Sequence, residues 1–178
     1  MDIRSGHTGL EQDITEVFTE TFTASEGPDE GRAVGTLAAN LMKTTPPEDL
    51  HVFTAHNGDG LTACIMFSRL TYPEDTRTVF ILSPVAVRPD HQKTGIGTKL
   101  ITHGLDTLRR NGTDYVTTYG DPDYYIRTGF RQITTDFAAP PLPLSQPIGW
   151  LGQSLTGSGD PLAGPSRCVP ALNRPELW

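Results

Sequence analysis

The stretch from Val85 to Leu100, VAVRPDHQKTGIGTKL, combines residue types that favour anion binding. A run of small apolar residues ends near a proline, and Gly95 and Gly97 then open a segment with the spacing of an amphipathic helix. A helix N-terminus presents unsatisfied backbone N–H groups and a partial positive charge, and glycine lets a ligand approach the backbone closely. The stretch therefore predicts a site for a phosphate or a diphosphate.

Two widespread phosphate-binding loops do not fit this spacing. The dinucleotide-binding loop needs a third glycine where this chain has Leu100, and the P-loop needs a Gly-Lys-Ser/Thr run that is missing here. Neither NAD nor ATP is therefore indicated. The stretch is locally cationic although the chain carries a net charge of −7, because it contains three cations and one acid: Arg88, Lys93, Lys99 and Asp90.

The segments around this stretch predict a strand, a turn, a helix and a second strand. TVFILSPVAV is apolar at nearly every position, as a strand buried on both faces should be. The helix is expected from Gly95 to Arg110, and the strand DYVTTY that follows must run parallel to the first because a helix connects them. Pro84 removes a ladder donor, which predicts a bulge or a point where the strand parts from its neighbour.

The N-terminal third of the chain predicts a strand, two helices and a hairpin. MDIRSGH fits a first short strand, and Thr8 lies three residues before Glu11, the spacing of a capping box at a helix start. A second helix is expected over about 29–43. The segments LHVFTAH and LTACIMFSRL alternate as strands do, and the Asn57-Gly58 pair between them favours a type I′ turn.

We expect a single domain over residues 1–178, because a chain of 178 residues can bury one core without disulfide or metal support. Its core should span 1–132, and a proline- and glycine-rich extension over 133–178 should pack on the sheet. Long ordered loops with one or two strands are predicted in the extension, the strands at IGWLGQSL and RCVPAL. Trp150 and Trp178 are expected to pack over the sheet or at a subunit contact.

Composition excludes several classes of function. The net charge argues against nucleic-acid binding, and no window is apolar enough for a membrane span. Cys64 and Cys168 are too few for a disulfide framework, and the five histidines lack metal-ligand spacing, so no metal is expected. The N-terminus has no apolar secretory segment, which predicts a cytoplasmic protein.

Two motifs together resemble those of the GNAT superfamily of N-acetyltransferases. Gln92 to Gly97 form a Q-x-x-G-x-G motif after a V-A-V-x-P strand end, and GDPDYYIRTGF resembles the family's late motif, a short helix with an aromatic pair before Gly-Phe. Element order, both motifs and their spacing agree over roughly residues 1–132. The resemblance implies an α/β (α+β) fold with a mixed sheet of about six to seven strands and about four helices, in which splayed parallel strands form a cleft for acetyl-CoA.

The resemblance also implies an activity and a set of site residues. The enzyme would move an acetyl group from the cosubstrate acetyl-CoA to a primary amine of a small molecule or peptide, by direct attack and without a covalent intermediate. Tyr125 would be the general acid for the departing thiolate. The remaining implied residues bind the cofactor: Val85, Ala86 and Val87 along the pantetheine arm, and Gln92, Lys93, Thr94, Gly95, Ile96, Gly97 and Thr98 around the diphosphate.

Two departures from the family pattern leave two alternative functions open. Ser83 stands where some relatives carry a glutamate, and the family's asparagine upstream of the late tyrosine has no clear match, so the base that deprotonates the amine is not identified. A CoA-binding module without turnover, or an acyltransferase with another acyl donor or acceptor, therefore competes with the N-acetyltransferase hypothesis. The family also makes a homodimer an expected state.

The acceptor cannot be named from the sequence. Glu26, Asp29 and Glu30 lie in the connection that borders the acceptor site in the family, where they either attract a cationic amine or form an ordinary solvated face. His51 and His56 flank a strand and have either a structural role or a place in the acceptor pocket. Tyr124 fits a packing role.

Overall fold

The structure is a computed structural model that describes residues 1–58 and 60–178. The four α-helices in these ranges are α1 Glu11–Glu26, α2 Pro28–Thr44, α3 Ile96–Arg110 and α4 Pro122–Tyr125. The strands are β1 Asp2–Ser5, β2 Leu50–Asn57, β3 Gly60–Thr71, β4 Val79–Val87, β5 Tyr115–Tyr119, β6 Arg131–Gln132, β7 Trp150–Ser154 and β8 Arg167–Cys168. The predicted α/β fold with a mixed sheet and four helices is confirmed, with eight strands of which two have only two residues.

Residue contacts divide the chain into two compact units. The first contains 1–67 and 84–104, and the second contains 68–83 and 105–178, so that β3, β4 and α3 contribute residues to both. In the first unit the strand order is β1-β2-β3-β4, with β1 antiparallel to β2. In the second unit the order is β8-β3-β4-β5-β7-β6, and β4 runs parallel to β5 as predicted.

Helices α1 and α2 of the first unit pack closely because glycine stands at their contact. A Cβ added to Gly35 would overlap the Thr19 hydroxyl, and one added to Gly31 would overlap that of Thr23. The buried face of α1 carries Ile14, Val17 and Phe18, at the spacing that the sequence predicted. None of the helices in the described ranges has the length and apolar content needed to cross a membrane.

The capping-box prediction at the start of α1 is wrong. The helix begins at Glu11, its N-cap residue is Leu10, and no side chain caps it. Gly9 has φ +81°, and the Leu10 N–H donates to the His7 carbonyl at 2.8 Å, so a turn precedes the helix where the box was expected. The hairpin turn of β2 and β3 includes Asp59, which lies outside the described residues, so the type I′ turn stays a prediction.

The proline-rich extension of the second unit is held by hydrogen bonds from side chains to its main chain. Trp150 and Trp178 are buried and donate through Nε1 to the carbonyls of Ala138 and Leu172, both at 2.9 Å. Arg77 binds the Asp75 carboxylate and donates to the carbonyl of Asp160 at 2.8 Å. The two tryptophans therefore pack within the unit, one of the two roles predicted for them.

Replacing Asp75 with asparagine should lower the free energy of unfolding by about 2 kcal/mol at neutral pH, since it removes one partner of a largely buried ion pair. Hydrogen bonding to Arg77 holds the pKa of Asp75 well below its usual range. The stabilisation is therefore complete above the unfolded-state pKa of about 4 and is lost as the pH falls below it. Urea unfolding of D75N at pH 7 and pH 3 tests this, because the difference from the native chain should shrink at the lower pH. D160N is the matched control, since Arg77 hydrogen-bonds to the main-chain carbonyl of Asp160 and not to its carboxylate.

Candidate active site

The loop between β4 and α3 adopts a backbone conformation that is unusual for its sequence. Lys93 has φ +61° and is the single non-glycine residue with positive φ among the described residues, and Gly95 has φ +84°. Holding a lysine in the left-handed region costs of order 1 kcal/mol, and such residues cluster at ligand sites. A Cβ at Gly95 would meet no heavy atom within 4 Å, so the space above this residue is open. Glycine is therefore favoured at position 95 by its positive φ and not by a lack of space for a side chain.

Six consecutive main-chain amides in this loop have no acceptor among the described residues. The N–H of Lys99 donates to the Gly95 carbonyl at 3.0 Å and begins the bonding of α3. For the N–H groups of residues 93–98, residues 1–58 and 60–178 supply no acceptor. Gln92 to Gly95 are exposed, so the outer part of this row faces solvent. The amide row, residues 93–98, therefore forms an anion-binding surface of the kind that turns with left-handed residues produce.

The charges at the helix starts single out α3. Acids stand in the first turn of α1 and of α2, where they complement the positive end of each helix: Glu11, Asp13, Asp29 and Glu30. The first turn of α3 contains no acid, and exposed Lys93 and Lys99 lie on either side of it. The positive end of α3 is thus not neutralised by its own side chains, which suits an anionic ligand.

Hydrogen bonds just before and just after β4 face different neighbouring strands. The Thr78 carbonyl accepts from the Asp114 N–H at 2.9 Å and so faces β5, whereas the Arg88 N–H donates to the Thr62 carbonyl at 2.8 Å and so faces β3. In a regular strand, residues ten apart face the same side. One residue is therefore added somewhere between them, as in a β-bulge, and the bulge or strand parting expected at Pro84 itself stays a prediction.

The pairing of β4 with β5 stops before β4 does. Within the second unit the parallel register runs from Val79↔Tyr115 to Leu82↔Thr118. Residues 83–87 of β4 lie beyond it, and in the first unit the segment 84–87 is the edge of the strand order β1-β2-β3-β4. An edge segment offers backbone donors and acceptors to an extended ligand.

Side chains of α1 hold the β4 end in the first unit. The Val87 carbonyl accepts from Gln92 Nε2 at 2.9 Å and from Thr21 Oγ1 at 3.3 Å. Arg88 pairs with Glu20 at 2.8 Å and donates from Nε to the Leu61 carbonyl at 2.8 Å. The side chains of Gln92 and Arg88 are therefore used within the protein, and the loop offers its main chain and two lysines to a ligand.

Tyr125 lies in the second unit at the end of α4. Its ring packs against Gly120, whose added Cβ would meet Tyr125 Cε2 at 2.9 Å, and it makes edge contacts with Tyr124 and Phe130 at centroid distances of 5.0 and 5.8 Å. Burial raises the pKa of Tyr125. The phenol therefore keeps its proton at neutral and mildly alkaline pH, as a general acid must.

Known proteins share the sequence and the fold. The family profile described as Acetyltransferase (GNAT) domain matches residues 48–132. The chain is 33% identical over 162 residues to the protein described as uncharacterized N-acetyltransferase YjhQ of Escherichia coli (strain K12), covering 88% of this chain and 86% of the relative. The chain belongs to the GNAT superfamily. Two GNAT crystal structures match this chain with a TM-score of 0.76. One is YhbS of Escherichia coli in complex with CoA, at 21% identity over 97% of this chain and 92% of that one. The other is an acetyltransferase of Brucella melitensis in complex with acetyl-CoA, at 22% identity over 97% of both chains.

The structure places the GNAT motif residues in two separate sets. Val85, Ala86, Val87 and the loop 92–98 belong to the first unit, and Tyr125 belongs to the second. In residues 1–58 and 60–178, no group of three or more His, Cys, Asp and Glu side chains is arranged to hold a metal ion. Sequence reasoning missed Thr21 and Thr118, because their partners lie 66 and 36 residues away along the chain. Isolated threonines in a helix or a strand give no signal of such contacts.

Proposed function

We propose that this protein transfers an acetyl group from acetyl-CoA to the primary amine of a small molecule or a peptide. The observation that carries the proposal is the amide row at residues 93–98, six consecutive N–H groups that find no acceptor in the part of the chain that the structure describes. The row lies at a helix start whose first turn has no acid. The GNAT relatives crystallised with CoA and acetyl-CoA support the same assignment. The site residues fit a diphosphate group without any change of side-chain partners.

The amide row would bind the diphosphate of the cosubstrate. Hydrogen bonds to a charged group contribute about 1.5–3 kcal/mol each, and the positive end of α3 adds to them. Exposed Lys93 and Lys99 supply positive charge, and neither forms an ion pair within the described part of the chain. The lysines would mainly speed the association of the cosubstrate, while the oriented amides would fix the position of its diphosphate.

The β4 end would hold the pantetheine arm and the thioester. Backbone groups of Val85, Ala86 and Val87 pair with the arm, and one N–H of this segment donates to the thioester carbonyl oxygen as negative charge develops there. Positioning supplies the larger share of the rate, because well-oriented groups reach very high effective molarities. The bonds that hold Val87 and Arg88 to α1 keep this segment fixed.

Direct attack by the neutral amine would yield the amide and free CoA, with no covalent enzyme intermediate. Tyr125 donates its proton to the departing thiolate and regains one from solvent. The amine gives its proton to a base or a water chain. Ser83 is a half-buried serine on β4 and not a carboxylate, so this step has no assigned residue.

Release of free thiol across a panel of amines and peptides tests the proposal. We expect tight CoA binding by calorimetry and turnover of acetyl-CoA with at least one acceptor, confirmed by the mass of the acetylated product. The absence of a glutamate at Ser83 favours a second candidate, a CoA-binding module that has lost turnover. Binding without turnover on any acceptor would support that candidate, and no binding at all would contradict both.

A further inference from the structure

Two exposed isoleucines of the second unit stand next to residues that contact Gly120. Large apolar side chains that are more than half exposed number three in residues 1–58 and 60–178: Met1, Ile126 and Ile148, at 54%, 52% and 60%. Ile126 directly follows Tyr125, whose ring packs against Gly120. Ile148 directly precedes Gly149, whose carbonyl accepts from the Gly120 N–H at 3.0 Å. Both isoleucines therefore stand one residue away from a contact of the same glycine.

The turn that carries Ile148 is fixed against the end of β5. The Gln146 N–H donates to the Tyr119 hydroxyl at 2.6 Å, and the Gly149 N–H donates to the Gln146 carbonyl at 2.9 Å. A Cβ added to Gly149 would meet the carbonyl oxygen of Gly120 at 2.9 Å, so the turn and the strand end are in close contact. The exposure of Ile148 therefore belongs to a turn that hydrogen bonds hold in place.

Hydrogen bonds fix the main chain at Ile126 in the same way. The Ile126 carbonyl accepts from the Gly129 N–H at 3.2 Å and from Arg131 Nη1 at 3.4 Å. The Thr128 hydroxyl donates to the carbonyl of Tyr125 at 2.9 Å. An isoleucine held in solvent gains nothing from burial within the protein, and its apolar surface is available to a ligand.

The ionic side chains in the segment around Tyr125 balance one another. Residues 119–132 contain two acids and two arginines, all exposed: Asp121, Asp123, Arg127 and Arg131. An acceptor with several ammonium groups is attracted where negative charge dominates, and no such surplus exists in this segment. The segment therefore favours an acceptor with one amine and an apolar body over a polycation.

We propose that the acceptor is a monoamine with an apolar body, and that Ile126 and Ile148 bind this body beside Tyr125. The inference rests on the proposed function and names the class of acceptor for it. Contact with the two side chains removes apolar surface from water and holds the amine near the reacting atoms. The reaction itself is unchanged: the amine nitrogen bonds to the carbonyl carbon, and the carbon–sulfur bond of acetyl-CoA breaks. The isoleucines select the amine and take no part in bond making.

A series of linear amines from propylamine to hexylamine tests the proposal, because only the apolar length changes along it while the basicity of the amine stays nearly constant. In the native protein kcat/KM for the amine should rise about 2- to 4-fold with each methylene group, since full burial of one methylene contributes about 0.8 kcal/mol. The polyamine spermidine should be a poorer acceptor than hexylamine. A series without any rise, or a preference for spermidine, would overturn the proposal.

The double variants I126T/I148T and I126L/I148L form a matched pair, because threonine removes most of the apolar surface and leucine keeps it. The rise per methylene should fall below about 1.5-fold in the threonine variant and persist in the leucine variant, while the KM for acetyl-CoA changes less than about 2-fold in both. Both side chains are more than half exposed, so thermal unfolding should be nearly unchanged. Equal rises in the two variants would contradict the role of the isoleucines.

A binding measurement does not depend on turnover. Calorimetric titration of the CoA complex should show that hexylamine binds more tightly than propylamine, and that this difference is lost in I126T/I148T. The same difference without any acetyl transfer would contradict the proposed function alone. Light scattering detects another occupant of this surface. A native dimer that dissociates in I126T/I148T, with an unchanged amine series, would make the two isoleucines a contact between copies of the chain and overturn the proposal.

Discussion

Replacing Thr98 with glutamate should lower the affinity for CoA by about 100- to 1,000-fold without loss of stability. Thr98 is the third residue of α3, and in α1 and α2 the third residue is already an acid, Asp13 and Glu30. A carboxylate in a first turn favours the helix by about 0.3–1 kcal/mol. The same charge within about 4 Å of a phosphate costs about 4 kcal/mol at the dielectric of a protein surface, which corresponds to about a thousandfold in affinity. Stability and affinity should therefore change in opposite directions.

The matched control is T98Q, which has the size of glutamate without its charge. Calorimetric titration with CoA should show only a small loss for T98Q, and thermal unfolding should show T98E to be at least as stable as the native chain. The contrast between the two variants should also weaken as salt is added, because the repulsion is partly screened. Equal affinity of T98E and the native protein for CoA would rule out the amide row as the diphosphate site.

The main chain of the candidate site could be predicted from sequence because glycine and helix start signals act locally. Gly95, Gly97 and the helix pattern after them predicted the β4–α3 loop, and the structure adds the left-handed Lys93 and the open row of amides. The left-handed lysine has no sequence signal, since its conformation is set by the turn around it. Local sequence signals thus predicted the loop but not the left-handed conformation of Lys93.

The side-chain contacts of the site could not be predicted in the same way. Arg88 was counted with the local cations, yet it pairs with Glu20, which lies 68 residues earlier, so its charge is largely used within the first unit. Gln92 belongs to the loop motif, yet its side chain binds the Val87 carbonyl. Such contacts depend on which elements meet in the fold, and residue spacing along the chain carries no information about them.

The failed capping box shows the limit of a local motif. Thr8 and Glu11 have the required spacing, but Gly9 between them adopts a positive φ and the chain turns before the helix begins. A capping box requires the residues between the N-cap and the acid to adopt helical backbone angles. Glycine is the residue least restricted to those angles. By contrast, the spacing of Ile14, Val17 and Phe18 predicted the buried face of the same helix correctly. An apolar stripe depends on residues along the whole helix and not on the conformation of one residue.

Replacing Tyr125 with phenylalanine should lower turnover by about 100-fold and leave CoA affinity within about 3-fold of the native value. General acid catalysis contributes about 10² to 10⁴, and thiolate is already a fair leaving group, so the lower end of that range applies. The phenyl ring keeps the packing on Gly120 and Phe130, so the cofactor loop of the first unit is undisturbed. Steady-state kinetics and CoA titration measure the two effects separately. Y124F, which removes the neighbouring hydroxyl, is the control and should keep native turnover.

The pH dependence of this variant gives a further check on the role of Tyr125. Burial raises the pKa of Tyr125 above its ordinary value of about 10, so the acid stays protonated throughout the range from about pH 6 to 9. The ratio of native to Y125F turnover should therefore be constant over that range and decline only at more alkaline pH, where the native enzyme begins to lose the proton. A ratio that falls between pH 6 and 9 would mean that Tyr125 titrates there and does not act as a protonated acid in a buried site. Unchanged turnover in Y125F at every pH would remove Tyr125 from the reaction, and protonation of the thiolate by solvent would then suffice.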